Sequence, residues 1–229
     1  MNQQFRQNIS DVNGKIADAA AKAGRAADEV TLVGVTKYVD AKVTREFAEA
    51  GHLVLGENRP QQLWQKQDEL VDLNIEWHLI GHLQRNKAKR TVEIATLIHS
   101  VDSLRLLKAI DGHASDQSKV ARVLLEVNVS GEEAKHGFAA EQLPAIVEAV
   151  GELKATQVGG LMAMAGLAGD QDDARREFAS LRELAEQTAA AGLPANVQMK
   201  ELSMGMSGDF EIAIEEGATL VRVGSALFA

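Results

Sequence analysis

The chain of 229 residues contains no cysteine, three prolines, one tyrosine and no long basic stripe. Without cysteine, disulfides, thiolate metal sites and cysteine nucleophiles are excluded. The formal net charge of −9 argues against nucleic acid as a partner, and we interpret the densest basic stretch, residues 85–90, as a solvated helix face. No apolar run is long enough to span a bilayer, and residues 1–7 lack the apolar core of a signal peptide. We therefore expect a cytoplasmic protein with no membrane partner.

What the chain does have is a series of short apolar runs, rich in Val, Leu or Ile, with Ala-rich helical stretches between them. The eight runs are 30–37, 52–58, 76–84, 95–102, 122–130, 156–164, 200–207 and 219–228. This alternation predicts a parallel sheet with right-handed crossovers. Eight strands fit one α/β domain over residues 1–229, a (β/α)8 TIM barrel with an extra N-terminal helix at 9–30. An open doubly wound sheet is the alternative, although no Gly-x-Gly-x-x-Gly follows the first strand.

Polar residues concentrate at the carboxyl ends of the predicted strands, the side on which the active sites of such barrels lie. They are Lys37, Glu57, Asn58, His82, Gln84, Ser100, Asp102, Asn128, Ser130, Ser207, Arg222, Gly224 and Ser225. Strand ends lead into loops, and loops are polar in any protein. The concentration at one end of seven of the eight elements nevertheless favours a functional site there.

Lys37 ends the first apolar run and is the most informative of these residues. Because strand side chains alternate between faces, Val33, Val35 and Lys37 point the same way. If Val33 and Val35 face a core, the ammonium of Lys37 lies at the carboxyl rim of that core. The group is then either a solvated rim charge or an amine held for chemistry, because desolvation raises the fraction of nucleophilic free amine.

The last two strands carry the signal of a phosphate site. Barrel enzymes often bind phosphate with the loops after strands seven and eight and a short helix N-terminus. Ser207 is expected to cap a helix that begins at Phe210, Gly224 allows close backbone approach, and Ser225 adds a donor. The alternative is an ordinary N-cap followed by a glycine turn.

Arg222 shares a strand face with Leu220 and Gly224, so its guanidinium is expected inside the barrel, where it needs a partner. Either it forms an ion pair with an inward carboxylate such as Glu201, or it donates to a ligand. His82 shares a face with His78 and is either a core histidine or part of the site. His78, His82 and Asp102 match no specific metal spacing, so no metal is expected.

A lysine amine on the first strand and a phosphate site on the last suggest a phosphorylated aldehyde held as a Schiff base, because these strands adjoin in a closed barrel. Pyridoxal 5′-phosphate (PLP) has both handles. The sequence also resembles the pyridoxal-phosphate homeostasis proteins, single-domain relatives of alanine racemase, from about residue 30 to 228. The matching motifs are VTK at 35–37, GENR at 56–59, WHLIGHLQRNK at 77–87, HSVDS at 99–103, EVNVS at 126–130, GLM at 160–162, LSMGMSGD at 202–209 and VRVG at 221–224. Leu79 and Ala229 depart slightly from the pattern, where relatives have Phe or Met and often Gly.

The resemblance implies the role of each site residue. Lys37 would carry the internal aldimine, and Arg222, by similarity to alanine racemase, would face the pyridine nitrogen. The phosphate would be held by Ser207, Gly224 and Ser225 with the amide of Gly208 or Met206, and Asn58 and His82 would line the ring.

The resemblance further implies a protein that buffers PLP and delivers it to apo-enzymes, without robust catalysis. Alanine racemase needs a second acid, a tyrosine from a C-terminal β-domain, whereas Tyr38 is the only tyrosine here and is expected on the opposite side of the strand from Lys37. The alternatives are a weak PLP-dependent amino-acid racemase or decarboxylase, and a barrel that binds a sugar phosphate without a covalent step. Amino acids would discharge the cofactor by reacting with its aldehyde carbon in place of the lysine. Lys135 is one lysine at which an accidental adduct could form. We expect the protein to be a monomer.

Overall fold

A closed barrel of eight parallel strands forms the centre of the computed structural model, which describes residues 2–130, 136–164 and 170–229. Lys135 lies outside these residues. The strands are β1 Thr31–Val35, β2 Val54–Glu57, β3 Glu76–Leu79, β4 Leu97–Val101, β5 Ala121–Glu126, β6 Thr156–Met162, β7 Val197–Met206 and β8 Leu220–Val223. Strands that follow one another along the chain pair in the barrel, and β1 closes it against β8, with Val33 opposite Arg222. The predicted α/β fold, a (β/α)8 TIM barrel, is confirmed.

Every predicted apolar run overlaps one of these strands, but the strand limits differ from the runs. β1 ends at Val35, so Lys37 lies beyond it, and β7 begins at Val197 rather than at residue 200. The last run yields only the short strand β8, because the chain turns at Gly224 and residues Ser225–Phe228 form a helix.

Nine helices surround the barrel in the part of the chain that the structure describes. They are α1 Asn2–Lys22, α2 Ala41–Glu49, α3 Pro60–Glu69, α4 Ala88–Ile94, α5 Leu104–Asp116, α6 Leu143–Gly151, α7 Gln171–Ala190, α8 Phe210–Glu215 and α9 Ser225–Phe228. The side chains of Asp40, Ser103 and Asp170 cap α2, α5 and α7 by accepting a bond from a first-turn amide. Among these helices, none combines the length and the apolar character that crossing a bilayer requires.

The extra N-terminal helix is confirmed, but it occupies Asn2–Lys22 rather than 9–30. It ends before Gly24, whose φ of 69° lies in the left-handed region that glycine adopts without strain. Helix α1 packs against α2, α8 and α9. Phe5 is buried there, with its ring centroid 5.6 Å from that of Phe47 and 5.8 Å from that of Phe228.

The core has two layers, one between the sheet and the helices and a smaller one inside the barrel. The inner layer consists of Val33, Leu97, Leu124, Met162 and Leu220, with the partly buried Val54 packed against it. Apolar side chains therefore fill one level of the barrel interior. The buried polar side chains described below occupy another level, nearer the carboxyl ends of the strands.

Candidate functional site

Lys37 lies in a turn just beyond β1, at the carboxyl end of the barrel. Val39 N donates to Thr36 O at 3.1 Å, so Lys37 and Tyr38 form the corners of this turn. Lys37 is half-buried, and its Nζ lies 4.9 Å from the centroid of the exposed Tyr38 ring. The prediction that Tyr38 points away from Lys37 is wrong, because neighbouring side chains alternate in a strand but need not do so in a turn.

The loops after β7 and β8 meet where the sequence predicts a phosphate site. Ser207 Oγ accepts a hydrogen bond from Gly224 N at 3.1 Å, which joins the two loops. The prediction that Ser207 caps α8 is wrong, because Asp209 occupies the N-cap position of α8 and no side chain makes a capping hydrogen bond there. Asp209 immediately precedes α8, and its Oδ1 accepts from Met206 N at 2.5 Å, which closes the loop between β7 and the helix.

Glycine keeps space open around this junction. A Cβ on Gly224 would already touch Val35 O, at 3.4 Å, so its absence leaves room between the ends of β8 and β1. Gly208 is exposed, and a Cβ there would meet no atom within 4 Å. Ser225 is exposed as well. A small anion can therefore approach the backbone of this loop without displacing a side chain.

A polar cavity of about 320 Å³ lies between the same loop, α7 and α8. It is lined by Gln171, Asp172, Arg175, Ser207, Gly208, Asp209, Phe210, Glu211, Ile212 and Glu215. Four of these residues are carboxylic acids and only one is a cation, so the cavity repels a phosphate. The barrel mouth, and not this cavity, is the candidate anion site.

Arg222 extends from β8 into the barrel, where it is buried. Its Nη1 donates to Ser203 Oγ at 2.5 Å and its Nη2 donates to Ala163 O at 2.9 Å. The ion pair with Glu201 that the sequence left open is not formed, because Glu201 Oε2 accepts from Thr219 Oγ1 at 2.9 Å instead. The inward direction expected for Arg222 is therefore confirmed, with polar and uncharged hydrogen-bond partners.

Burial sets the charges around Arg222. Burial lowers the pKa of Arg222 to about 10, while Asp209 and Glu126 act in the opposite direction. Burial and the nearby Asp102 raise the pKa of Glu126. The guanidinium therefore keeps its proton at neutral pH, in spite of its burial.

A chain of hydrogen bonds runs from Arg222 across the barrel interior. Ser203 Oγ lies 2.8 Å from His99 Nδ1, and His99 Nε2 lies 3.0 Å from His78 Nδ1. Because arginine can only donate, Ser203 Oγ accepts from it, and the hydroxyl proton is free for His99 Nδ1. Among the described residues, Ser203 Oγ has no other acceptor in reach. Both histidines are then Nε2–H tautomers, with His99 donating to His78.

Both histidines in this chain are neutral at pH 7. Burial lowers the pKa of His78 to about 4, with a smaller contribution from the charge of Arg122. Burial, followed by His78 and Arg222, also lowers the pKa of His99. The hydrogen-bonded chain therefore contains one charge, that of Arg222, and two neutral imidazoles that orient its serine partner.

Asn58 and His82 lie at the mouth of the barrel. Asn58 follows β2 directly and is half-buried. His82 Nδ1 lies 3.1 Å from Asp102 Oδ2, and the His136 ring stacks on the His82 ring at 4.6 Å. The metal grouping considered from the sequence does not form, because His78 faces into the barrel. His82, Asp102 and His136 instead offer ligand atoms within 4.8 Å of one another.

Sequence reasoning missed a buried polar cluster on the outer face of the sheet. Lys66 Nζ, on α3, lies 2.5 Å from Glu57 Oε1 and donates to Thr36 O at 2.8 Å. The signal was available, because Pro60, Leu63 and Lys66 recur at helical spacing and are the buried residues of α3. His99 and Ser203 were also missed as interior residues.

Comparison with known proteins first identifies the type of barrel domain. The family model described as "Alanine racemase, N-terminal domain" matches residues 13–229. An alanine racemase of Clostridium difficile 630 superposes with a TM-score of 0.75 at 15% identity, over 99% of this chain and 56% of that one, a likeness of fold alone. The barrel is thus of the alanine racemase N-terminal domain type.

Nearer relatives give the family. The pyridoxal phosphate homeostasis protein of Aquifex aeolicus (strain VF5) is 43% identical over 97% of this chain and 96% of its own length, and that of Escherichia coli (strain K12) is 34% identical over 96% and 94%. The structure of PipY from Synechococcus elongatus PCC7942 with PLP bound has a TM-score of 0.83 at 36% identity, over 93% of this chain and 100% of that one. The chain belongs to the pyridoxal phosphate homeostasis protein family.

Proposed function

We propose that this chain binds PLP reversibly as a Schiff base on Lys37 and takes part in intracellular vitamin B6 homeostasis by buffering and delivering the cofactor. The observation that carries the proposal is that the Lys37 turn and the Ser207–Gly224 junction lie at the ends of the paired strands β1 and β8. The PipY structure with PLP bound and the names of the curated relatives support it. Residues 1–229 then act as one PLP-binding barrel domain.

The residues present can serve three polar groups of PLP: the aldehyde, the phosphate and the ring nitrogen. Among the described residues, the contact of Lys37 Nζ is the Tyr38 ring and not a carboxylate, so no ion pair has to break to free the amine. At the junction of Ser207 and Gly224, the Ser207 hydroxyl can donate its proton to an anion in the open space beside Gly208. The amides of Gly224 and Met206 already donate to Ser207 Oγ and Asp209 Oδ1, so each would have to exchange its partner for the anion. The buried guanidinium of Arg222 provides donors inside the barrel.

Bound PLP supplies an aldehyde carbon that condenses with a primary amine, with loss of water. In our proposal Lys37 provides that amine, and Arg222 faces the pyridine nitrogen. A charged guanidinium disfavours a second cation beside it and keeps that nitrogen unprotonated, which weakens carbanion chemistry. The phosphate is held by Ser207, Gly224 and Ser225 together with the amide of Gly208 or Met206, and Asn58 and His82 line the ring.

We further propose that the protein has no robust catalytic activity. Racemisation needs an acid or base on each face of the substrate carbon. Tyr38, the only tyrosine in the sequence, is 90% exposed at the corner of the turn. A weak PLP-dependent racemase is the alternative, and deuterium exchange into amino acids under saturating conditions separates the two.

The proposed partners follow from this chemistry. Amino acids and other amines discharge the cofactor by exchange at the imine carbon, and apo forms of PLP-dependent enzymes receive it. We propose that the protein works in the cytoplasm as a monomer, without nucleic acid, a membrane or a metal.

Absorbance and reductive trapping test the function. The native protein should absorb near the edge of the visible range, and borohydride should fix one cofactor on Lys37, identified by peptide mapping. Lys37→Ala should abolish both signals, because it removes the amine. Lys42→Ala, which removes an exposed lysine on the neighbouring helix α2, is the matched control and should retain both.

Two outcomes contradict the proposal. If Lys37→Ala keeps the absorbance and the adduct, the cofactor is attached elsewhere. If the wild-type protein binds PLP but its intact mass after reduction shows no adduct, the barrel binds phosphorylated ligands without a covalent step, as in the sugar-phosphate alternative.

A further inference from the structure

We propose that Lys66 and Glu57 are positioning residues that hold the turn carrying Lys37. This inference rests on the proposed function, since it assigns a purpose to residues around the attachment point. Neither side chain faces the barrel interior. Both lie on the outer face of the sheet, between the ends of β1 and β2 and helix α3, and act through the backbone of Thr36.

Three contacts join the pair to Thr36. Lys66 Nζ donates to Glu57 Oε1 at 2.5 Å and to Thr36 O at 2.8 Å. Thr36 Oγ1 donates to the same Glu57 Oε1 at 2.6 Å. Lys66 and Glu57 thus hold both the carbonyl and the hydroxyl of Thr36, which is itself fully buried.

The remaining backbone contacts of Thr36 complete the turn. Thr36 N donates to Gly56 O at 3.0 Å, and Thr36 O also accepts from Val39 N at 3.1 Å. The carbonyl that Lys66 contacts belongs to the planar peptide unit that continues into the nitrogen of Lys37. Holding the Thr36 carbonyl oxygen in place therefore also holds the orientation of the peptide plane that leads to the Lys37 Cα.

Stability alone is a poor explanation for this ion pair. The side chains of Lys66 and Glu57 are 7% and 0% exposed, and among the described residues no donor reaches the buried Glu57 Oε2. A buried ion pair loses its hydration, and well-packed apolar residues are often as stable in its place. This ion pair is costly and incompletely hydrogen-bonded, and it binds Thr36, the residue before Lys37. Its role is better explained by the backbone geometry that it imposes on the Lys37 turn.

The test removes the pair without leaving a buried charge. The variant Glu57→Gln with Lys66→Met keeps an oxygen for Thr36 Oγ1 but loses the donor to Thr36 O, and it avoids the uncompensated carboxylate of Lys66→Met alone. The matched control is Arg45→Met, which breaks the exposed ion pair between Arg45 and Asp72 beside the same helix.

Three measurements separate positioning from a merely structural effect. The first is the rate at which added PLP becomes fixable by borohydride on Lys37. The second is the affinity for pyridoxine 5′-phosphate, which has the same ring and phosphate but an alcohol in place of the aldehyde. We expect the double variant to attach PLP about tenfold more slowly, because misplaced reacting groups lose rate steeply, and to bind the alcohol within about twofold of wild type. The third measurement is hydrogen exchange at the Val39 amide, which should be faster in the double variant. The control Arg45→Met should match wild type in all three measurements.

The outcomes are distinguishable. If wild type attaches PLP to Lys37 and the double variant does so at the same rate with a protected Val39 amide, the inference is overturned while the proposed function stands. If the double variant loses affinity for pyridoxine 5′-phosphate by as large a factor as it loses the rate of PLP attachment, the pair supports the barrel as a whole and the positioning role is likewise overturned. If wild type gives no adduct on Lys37, the proposed function fails first, and the inference fails with it.

Discussion

Acidification should destabilise the fold through His78. In the folded protein burial lowers the pKa of this imidazole from 6.5 to about 4, so the unfolded chain binds its proton more readily between these values. The contribution of neutral His78 is therefore fully present above pH 6.5 and is lost as the pH falls towards 4. At about 1.4 kcal/mol for each unit of pKa, the complete loss is about 3.5 kcal/mol, and about 2.5 kcal/mol of it is reached by pH 4.5. This is a large share of the 5–15 kcal/mol by which domains are roughly stabilised.

The assay is urea unfolding of the wild type and of His78→Gln at pH 7.5, 6.5, 5.5 and 4.5. Removing His78 also removes a hydrogen-bond partner of His99, which shifts the free energy of unfolding by an amount that does not change with the titration of residue 78. The quantity that tests the reasoning is the difference in free energy of unfolding between the wild type and the variant, followed as a function of pH. Groups that titrate in the same way in both proteins largely cancel in this difference. We expect the wild type to lose about 2.5 kcal/mol relative to the variant between pH 7.5 and 4.5. Parallel curves over this range would refute the assignment of a buried neutral imidazole.

Two further predictions concern stability. Gly160→Ala should destabilise the barrel by about 3 kcal/mol, because its Cβ would lie 1.9 Å from Glu201 O on the paired strand β7. Gly14→Ala on α1 should stabilise the protein by roughly 0.5–1 kcal/mol, because a Cβ there would meet no atom within 4 Å and alanine favours the helix. Thermal and urea unfolding of both variants check these opposite signs. Ser203→Ala should cost about 2 kcal/mol in urea unfolding, because it removes the acceptor of a charged hydrogen bond from the buried Arg222, and an unchanged midpoint would contradict that bond.

The fold was predictable because each strand leaves a local mark. Every apolar run overlaps a strand, and the adjacency of β1 and β8 follows from closure of the barrel. Contacts between distant side chains leave no such mark. Ser203 and His99 are 104 positions apart, and strand periodicity says that a residue faces inward without saying which neighbour it meets. The side of Tyr38 was mispredicted because β1 ends at Val35, so the alternation of side chains along a strand does not extend to Tyr38. Thr36, the next residue, instead donates from Oγ1 to Glu57 and accepts at its carbonyl oxygen from Lys66.

The inner face of the barrel explains how one small fold combines stability with a polar site. On three strands an apolar residue of the inner layer is followed, two positions later on the same face, by a buried polar residue. The pairs are Leu97 and His99, Leu124 and Glu126, and Leu220 and Arg222. Because parallel strands share one direction, each second residue lies nearer the carboxyl end, so the apolar level closes the barrel below and the polar level faces the mouth. Buried polar groups are costly unless bonded, which explains why His99 and Arg222 are connected through Ser203 rather than left as isolated groups beneath the site.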